Sequence, residues 1–378
     1  MNVDILIENG LVLDPYLGTK EVRPVAIKGN RIVDADMENL TASQVIDATG
    51  CIVSPGLIDY HGHFADTTSD LGANPEMICF PTGVTTCVDA GTTGVANYLG
   101  FRARTMASKL KTFALLHINP AGIATLSIHE SQDPAFCNHD KIKQYMDLYG
   151  DQIKGLKLRL SEDLLHGLGL KPLEYIRHLA DEIGCPIVVH TTNAPCPIPE
   201  ILMLLKPGDV FCHVFQGEGH TVLDPHGEIY QEVFQAQKQG VLFDACNGKC
   251  NFSFEIAEAA LAQHFVPDII SSDMSAFNAF TKNHVFSLPF IMSKYLALGL
   301  DIDTIYRCTI LNPAKSLGLE KELGSMIPGT KANISVHRII QKSLCFEDAF
   351  GEKRYGQQAL RTELTVCEGW IVYRSIEI

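Results

Sequence analysis

The sequence predicts an α/β protein: a (β/α)8 TIM barrel carrying a small β-sandwich domain built from both chain termini. Three observations carry that prediction. Short apolar runs alternate with helix-like stretches through the middle of the chain, turn-rich strands occupy its two ends, and no Gly-x-Gly-x-x-Gly fingerprint follows the first central strand. With 378 residues there is ample chain for one large or two ordinary domains.

The first stretches, "DILIENGLVLD", "VAIKGNRIVDAD" and "QVIDATGCIVSPG", are short, punctuated by Gly and Asn, and too turn-rich for helices. The C-terminal "ANISVHRI" and "LTVCEGWIVYR" have the same texture. Neither end has enough alternating apolar surface for a core of its own. Residues 1–54 and 325–378 are therefore expected to pair into one discontinuous domain, leaving 55–324 to the barrel.

Eight candidate barrel strands follow in order: "GLIDYHGHF", "GVTTCVDAG", "TFALLHINP", "IKGLKLRL", "PIVVHTT", "DVFCHVFQG", "GVLFDACNG" and "DIISSDMS". Most are separated by helix-like stretches such as "KPLEYIRHLADEIG" and "FEIAEAALAQH". Strands alternating with helices imply parallel βαβ units, and the span has the size of a barrel.

Composition narrows the function. Hydrophobic residues at 46% and charged residues at 20% suit a soluble globular protein. A formal net charge of −14 argues against a general nucleic-acid or anionic-membrane binder. No apolar stretch is long enough to span a bilayer, and the N-terminus lacks the basic region of a signal peptide. Twelve cysteines without small secreted-domain spacing read as reduced thiols in a cytoplasmic protein. Cys246 and Cys250 in "CNGKC" have no second Cys/His pair of matching form nearby, so they too read as ordinary thiols. The expected partner is a small-molecule substrate, and homo-oligomer formation stays open.

The chemistry gathers where the strands end. His61 and His63 close the first run, Lys157 lies in "GLKLRL", His190 ends "PIVVH", His213 lies in "FCHVF" and Asp273 ends "IISSD". Barrel enzymes keep their active sites at these C-terminal strand ends, and neutral imidazole and carboxylate are favoured ligands of Zn²⁺ and similar ions. Leu156, Leu158 and Leu160 share one face, so Lys157 and Arg159 point into the barrel. A buried bare ammonium is costly. Lys157 either pairs with an acid such as Asp244 or Asp273, or stays neutral. A neutral amine reacts with carbon dioxide to give a carbamate, whose two oxygens can bridge two metals.

The segments "GLIDYHGH", "GVTTCVDAGTTG", "GLKLR", "VVHTTN", "CHVFQG" and "SSDMS" together resemble the amidohydrolase superfamily, most closely its dihydroorotase-like amidohydrolase/deacetylase branch. The resemblance covers nearly the whole chain. It implies two divalent metal ions, zinc being the expected one. His61, His63 and Asp273 would bind the first, His190 and His213 the second, with carbamylated Lys157 between them. Lys154 is the rival bridge, but it lies on the opposite alternation. The implied chemistry is attack of a metal-bridging hydroxide on an amide or ester carbonyl, with Asp273 passing the proton to the leaving group.

Dihydroorotases usually continue the histidine pair as His-x-His-x-Arg, and here that place is Ala65. A substrate carboxylate then requires another cation. Arg159 is the candidate, its alternative role being an ion pair that fixes the lysine strand. Asn247, after the seventh strand, is a candidate substrate contact, and "AGTTG" is either a backbone donor loop or a plain turn. The expected activity is hydrolysis of a small N-acyl or O-acyl carboxylate, a deacetylase in effect. Alternatives are a cyclic-amide hydrolase of dihydroorotase or hydantoinase type, an adenine-type deaminase, and a catalytically silent scaffold. Such deaminases commonly lack the lysine and carry His-x-x-Glu, whereas Gln216 stands here at the Glu position. Silent members typically lose ligands, and here every expected ligand type is present. Asp59 either orients a ligand or secures the first strand.

Overall fold

Seven parallel strands, Leu57–Gly62, Val84–Ala90, Lys111–His117, Ile153–Arg159, Ile187–His190, Val210–Cys212 and Leu242–Asp244, lie side by side in chain order in the computed structural model. The structure describes residues 1–35 and 40–378. The eighth segment completes the ring through single bridges, with Ile269 beside Asp244 and Met274 beside Gly62, both parallel. The Asp273 N–H donates to the His61 carbonyl at 2.7 Å, and the His63 N–H to the Met274 carbonyl at 2.7 Å. The sheet therefore closes on itself, as a (β/α)8 barrel does.

These strands are apolar on both faces because both faces are covered. All of Val84–Ala90 and nearly all of Lys111–His117 are buried, the pattern of a parallel sheet wrapped by helices. Leu156 and Leu158 pack outward with Leu173, Ile176 and Leu179 of the helix Lys171–Ile183. That helix has Pro172 in its first turn and ends at Gly184 in the left-handed region, where glycine carries no Cβ penalty. A second cluster, including Ile58, Tyr60, Val88, Phe113, Leu115 and Val188, fills the barrel interior. Lys157 lies on the alternation opposite to its leucine neighbours and is 1% exposed, so its amine enters that interior.

Both ends of the chain meet in a sandwich. Asn2–Glu8, Val25–Lys28, Arg31–Val33 and Thr41–Asp47 form one sheet. Leu11–Asp14, Thr19–Val22, Ile52–Pro55, Ile334–Glu347, Lys353–Cys367 and Trp370–Arg374 form the other. Ile5, Ile7, Ile27 and Val53 share a core with Ile334, Val336 and Leu364, so neither terminus buries its apolar face without the other. Ile52–Pro55 pairs with Ile334–Glu347 and leads within two residues into the first barrel strand. The sandwich thus anchors the strand that carries His61 and His63.

All twelve cysteines are free thiols. Among the described residues, no helix is long and apolar enough to cross a membrane.

Candidate metal centre

His61, His63, Lys157, Arg159, His190 and Asp273 line one cavity of about 530 Å³ at the C-terminal mouth of the barrel. His213 packs against it, its ring 4.3 Å from that of His190 and 5.4 Å from that of His61. The pairing register of the first strand shifts between Asp59 and Gly62. Asp59 accepts from the Ser272 N–H at 3.0 Å and from its hydroxyl at 2.5 Å. It therefore ties the first strand to the closing segment.

The histidines share a pattern. Thr92 Oγ1 lies 2.8 Å from His63 Nδ1, and His213 Nδ1 donates to the Cys246 carbonyl at 2.7 Å. His61 Nδ1 faces Asp244 Oδ2 at 3.7 Å. Asp244 is itself fixed by the Ser271 hydroxyl at 2.8 Å and the Cys246 N–H at 2.9 Å. With the δ-nitrogens so oriented, the ε-nitrogens are left for the centre. His63 Nε2 lies 3.2 Å from Asp273 Oδ1, and His61 Nε2 lies 3.2 Å from Lys157 Nζ and 3.9 Å from Asp273 Oδ1. Outer partners of this kind fix the tautomer and orientation of metal-binding histidines.

Burial favours the neutral form of three of the rings. It drives His61 and His190 well below the ordinary histidine range and His213 down to about 4. Burial alone would raise Asp273, but the His63 hydrogen bond and the charges around it outweigh that, so its carboxyl sits below the usual value. Three neutral imidazoles, those of His61, His190 and His213, thus accompany one ionised acid.

The backbone is shaped around the same atoms. His213 (φ 62°) and Asp273 (φ 53°) both occupy the left-handed region, which is uncommon outside glycine and gathers at functional sites. Gly91 (φ 84°) lies against the lysine: a Cβ there would stand 2.5 Å from Lys157 Cγ.

No protein-family model matches the chain. A deacetylase from Enterococcus faecalis is 29% identical over 375 residues, 98% of this chain and 99% of that protein. A solved adenine deaminase superposes with a TM-score of 0.90 at 29% identity, covering 99% of this chain and 100% of that one. A solved dihydroorotase superposes with a TM-score of 0.88 at 26% identity, covering 98% of each. Nearly the whole chain is thus similar to enzymes of the amidohydrolase superfamily, its dihydroorotase-like members included.

The residues at the barrel mouth include a group that fits a divalent cation. His61, His63 and Asp273 bring ligand atoms within 4.8 Å of one another, the set expected for one ion. Gly91, lacking a side chain, lets its backbone approach the Lys157 stem closely. Lys154 turns away, its amine bonding the Gly150 carbonyl at 3.3 Å. Arg159 lines the cavity and donates to Glu130 at 2.7 Å.

Other residues sit where the sequence alone did not lead. Asn247 is fully buried behind the site, its amide donating to the Ser271 carbonyl at 3.0 Å and accepting from the Tyr295 hydroxyl at 3.3 Å. Asn251 and Lys249 line the cavity in its place. Asn251 donates to Asp273 Oδ2 at 2.8 Å and accepts from the Thr192 hydroxyl at 2.9 Å. Cys246 brings its sulfur to 3.8 Å from His213 Nε2, whereas Cys250 is exposed at the cavity wall. Glu130, Thr92 and Asn251 all come from loops, where no periodicity marks them. The Gly-rich "AGTTG" turn was the one signal that pointed towards Thr92.

Proposed function

We propose that the protein is a cytoplasmic, two-metal hydrolase that removes the acyl group from a small N-acyl or O-acyl compound bearing a carboxylate. One observation carries this: His63 Nδ1 and His213 Nδ1 are held by Thr92 and the Cys246 carbonyl, while the ε-nitrogens of His61 and His63 lie beside Lys157 and Asp273. His61, His63 and Asp273 would hold one ion and His190 and His213 the other, with Lys157, as its carbamate, a ligand to both. A bound ion pair would supply a hydroxide at neutral pH and polarise the scissile carbonyl.

The protein's own groups do the rest. Asp273 Oδ1 faces the histidines, whereas Oδ2 faces the Asn251 amide. We assign Oδ2 to take the proton of the attacking water and deliver it to the leaving nitrogen or oxygen. Thr192 orients Asn251 and so orients that oxygen. At the mouth, Leu71, Ile123, Leu126 and Phe277 supply apolar walls. Lys249 makes no ion pair among the described residues and is the freer cation for a substrate carboxylate, because Glu130 already neutralises Arg159.

The adenine deaminase likeness is the observation that favours a second reading. Against it, the Gln216 amide is held within its own loop, donating to the His220 carbonyl at 2.8 Å and accepting from the Glu218 N–H at 2.6 Å. A panel of N-acetyl amino acids, acetylated hydroxy acids, cyclic ureides and adenine separates the readings. Release of acetate supports the deacetylase, and ammonia from adenine without acyl hydrolysis replaces it with the deaminase.

A further inference from the structure

His117 ends the third barrel strand, fully buried, and pairs with Lys157 across the third and fourth strands. Paired residues on neighbouring strands send their side chains to the same face, so both enter the barrel interior. The Asn119 backbone N–H donates to His117 Nδ1 at 2.9 Å. A backbone N–H can only donate, so Nδ1 is the acceptor and the ring proton resides on Nε2. That Nε2–H is buried and meets no acceptor. Buried donors are nearly always satisfied, so this one requires an explanation.

The ring's Cδ2 atom, bonded to Nε2, lies 3.3 Å from the point where a Gly91 Cβ would stand. The same point is 2.5 Å from Lys157 Cγ. His117 and the Lys157 stem thus pack close together beside Gly91. Nothing in the proposed reaction uses His117.

We infer that His117 is a positioning residue for the carbamate of Lys157, with its Nε2–H donating to a carbamate oxygen. This rests on the reading of Lys157 as the carbamylated bridge. In forming that group, the neutral amine gives its electron pair to the carbon of carbon dioxide. One C–O π pair moves onto oxygen, and one amine proton leaves to water. The product spreads a negative charge over two oxygens, each with lone pairs beyond the one used for a metal. An uncharged N–H donor stabilises that charge and fixes the plane of the group without repelling the cations. It would do for the lysine what Thr92 does for His63.

The test uses metal-free whole protein reloaded with zinc and carbon-13-labelled bicarbonate. The carbamate resonance and the bound zinc are followed against bicarbonate concentration for wild type, His117→Phe and His117→Gln. The phenylalanine variant is expected to need about tenfold more bicarbonate for half-maximal carbamate, and to hold zinc correspondingly less well. The glutamine variant, which keeps an N–H donor, is expected to recover most of the difference. His117→Met provides a second donor-free variant in case the phenylalanine variant does not fold. Equal bicarbonate dependence in wild type and the donor-free variants overturns the role of His117 and leaves the carbamate standing. Absence of a carbamate resonance in the wild type overturns the reading of Lys157 itself.

Discussion

Thr92 holds His63: its hydroxyl oxygen lies 2.8 Å from His63 Nδ1, and its backbone N–H donates to Asp89 Oδ1 at 3.0 Å. The other oxygen of Asp89 accepts from the Phe64 N–H at 2.8 Å. One carboxylate thereby locks the turn after the histidine pair to the turn that orients it. Thr92→Val keeps the shape and removes the hydroxyl. Metal affinity should fall by about 10–100-fold while the melting temperature changes little. Metal titration of the chelator-stripped protein reads the first and thermal denaturation the second.

Gly91→Ala should act on the lysine instead. A methyl group there would stand 2.5 Å from Lys157 Cγ, on a backbone with φ of 84°. The left-handed conformation costs about 1–2 kcal/mol for a residue with a Cβ, and the crowding displaces the amine. The expected result is lowered stability together with loss of one or both metals. A variant with full metal content would show that Lys157 needs less room than its surroundings imply.

Asp59 separates architecture from chemistry. Its carboxylate bonds Ser272 at 3.0 and 2.5 Å and joins the first strand to the closing segment. Asp59→Ala leaves the Ser272 N–H and hydroxyl unpaired, which should cost about 1–3 kcal/mol for each buried group. Folded protein should still carry its metals. A normal melting temperature with lost metal would make Asp59 part of the centre instead.

Lys294, on the helix Leu288–Ala297, is buried with its amine 3.4 Å from the centre of the Phe252 ring. Burial pushes its pKa down to about 7 from 10.5, against a weaker opposing pull from Asp348. The folded state therefore binds this proton less tightly than the unfolded chain. The resulting destabilisation is fully present below about pH 7 and fades as pH rises towards the unfolded value of 10.5. Stability should rise across that window, and Lys294→Met should abolish this contribution while stabilising the protein at neutral pH. Denaturant midpoints measured from pH 7 to 10 check both.

Legibility followed the source of each contact. Barrel strands announce themselves because each is a short apolar run bounded by turn residues, and the residue that ends a run lands at the mouth. His190 and Asp273 could be placed by that rule, and the leucines beside Lys157 gave its direction. Contacts made between loops carry no such period. Glu130 reaches Arg159 across 29 positions, and Asn251 reaches Asp273 across 22. Asn247 illustrates the same limit: it follows the seventh strand as expected, yet the chain turns its amide inward to Ser271 and Tyr295. The register shift between Asp59 and Gly62 is equally hidden, since strict alternation would give Asp59, His61 and His63 one common face.

The two-metal centre around Lys157 is the claim on which the rest depends. Metal analysis of the purified protein and of Lys157→Ala, with acyl hydrolysis measured on the same samples, tests it most directly. The wild-type chain should hold close to two divalent ions, and the variant should lose the two-metal site together with the activity. A wild-type preparation that is active without metal, or a Lys157→Ala variant with unchanged metal content, would contradict it.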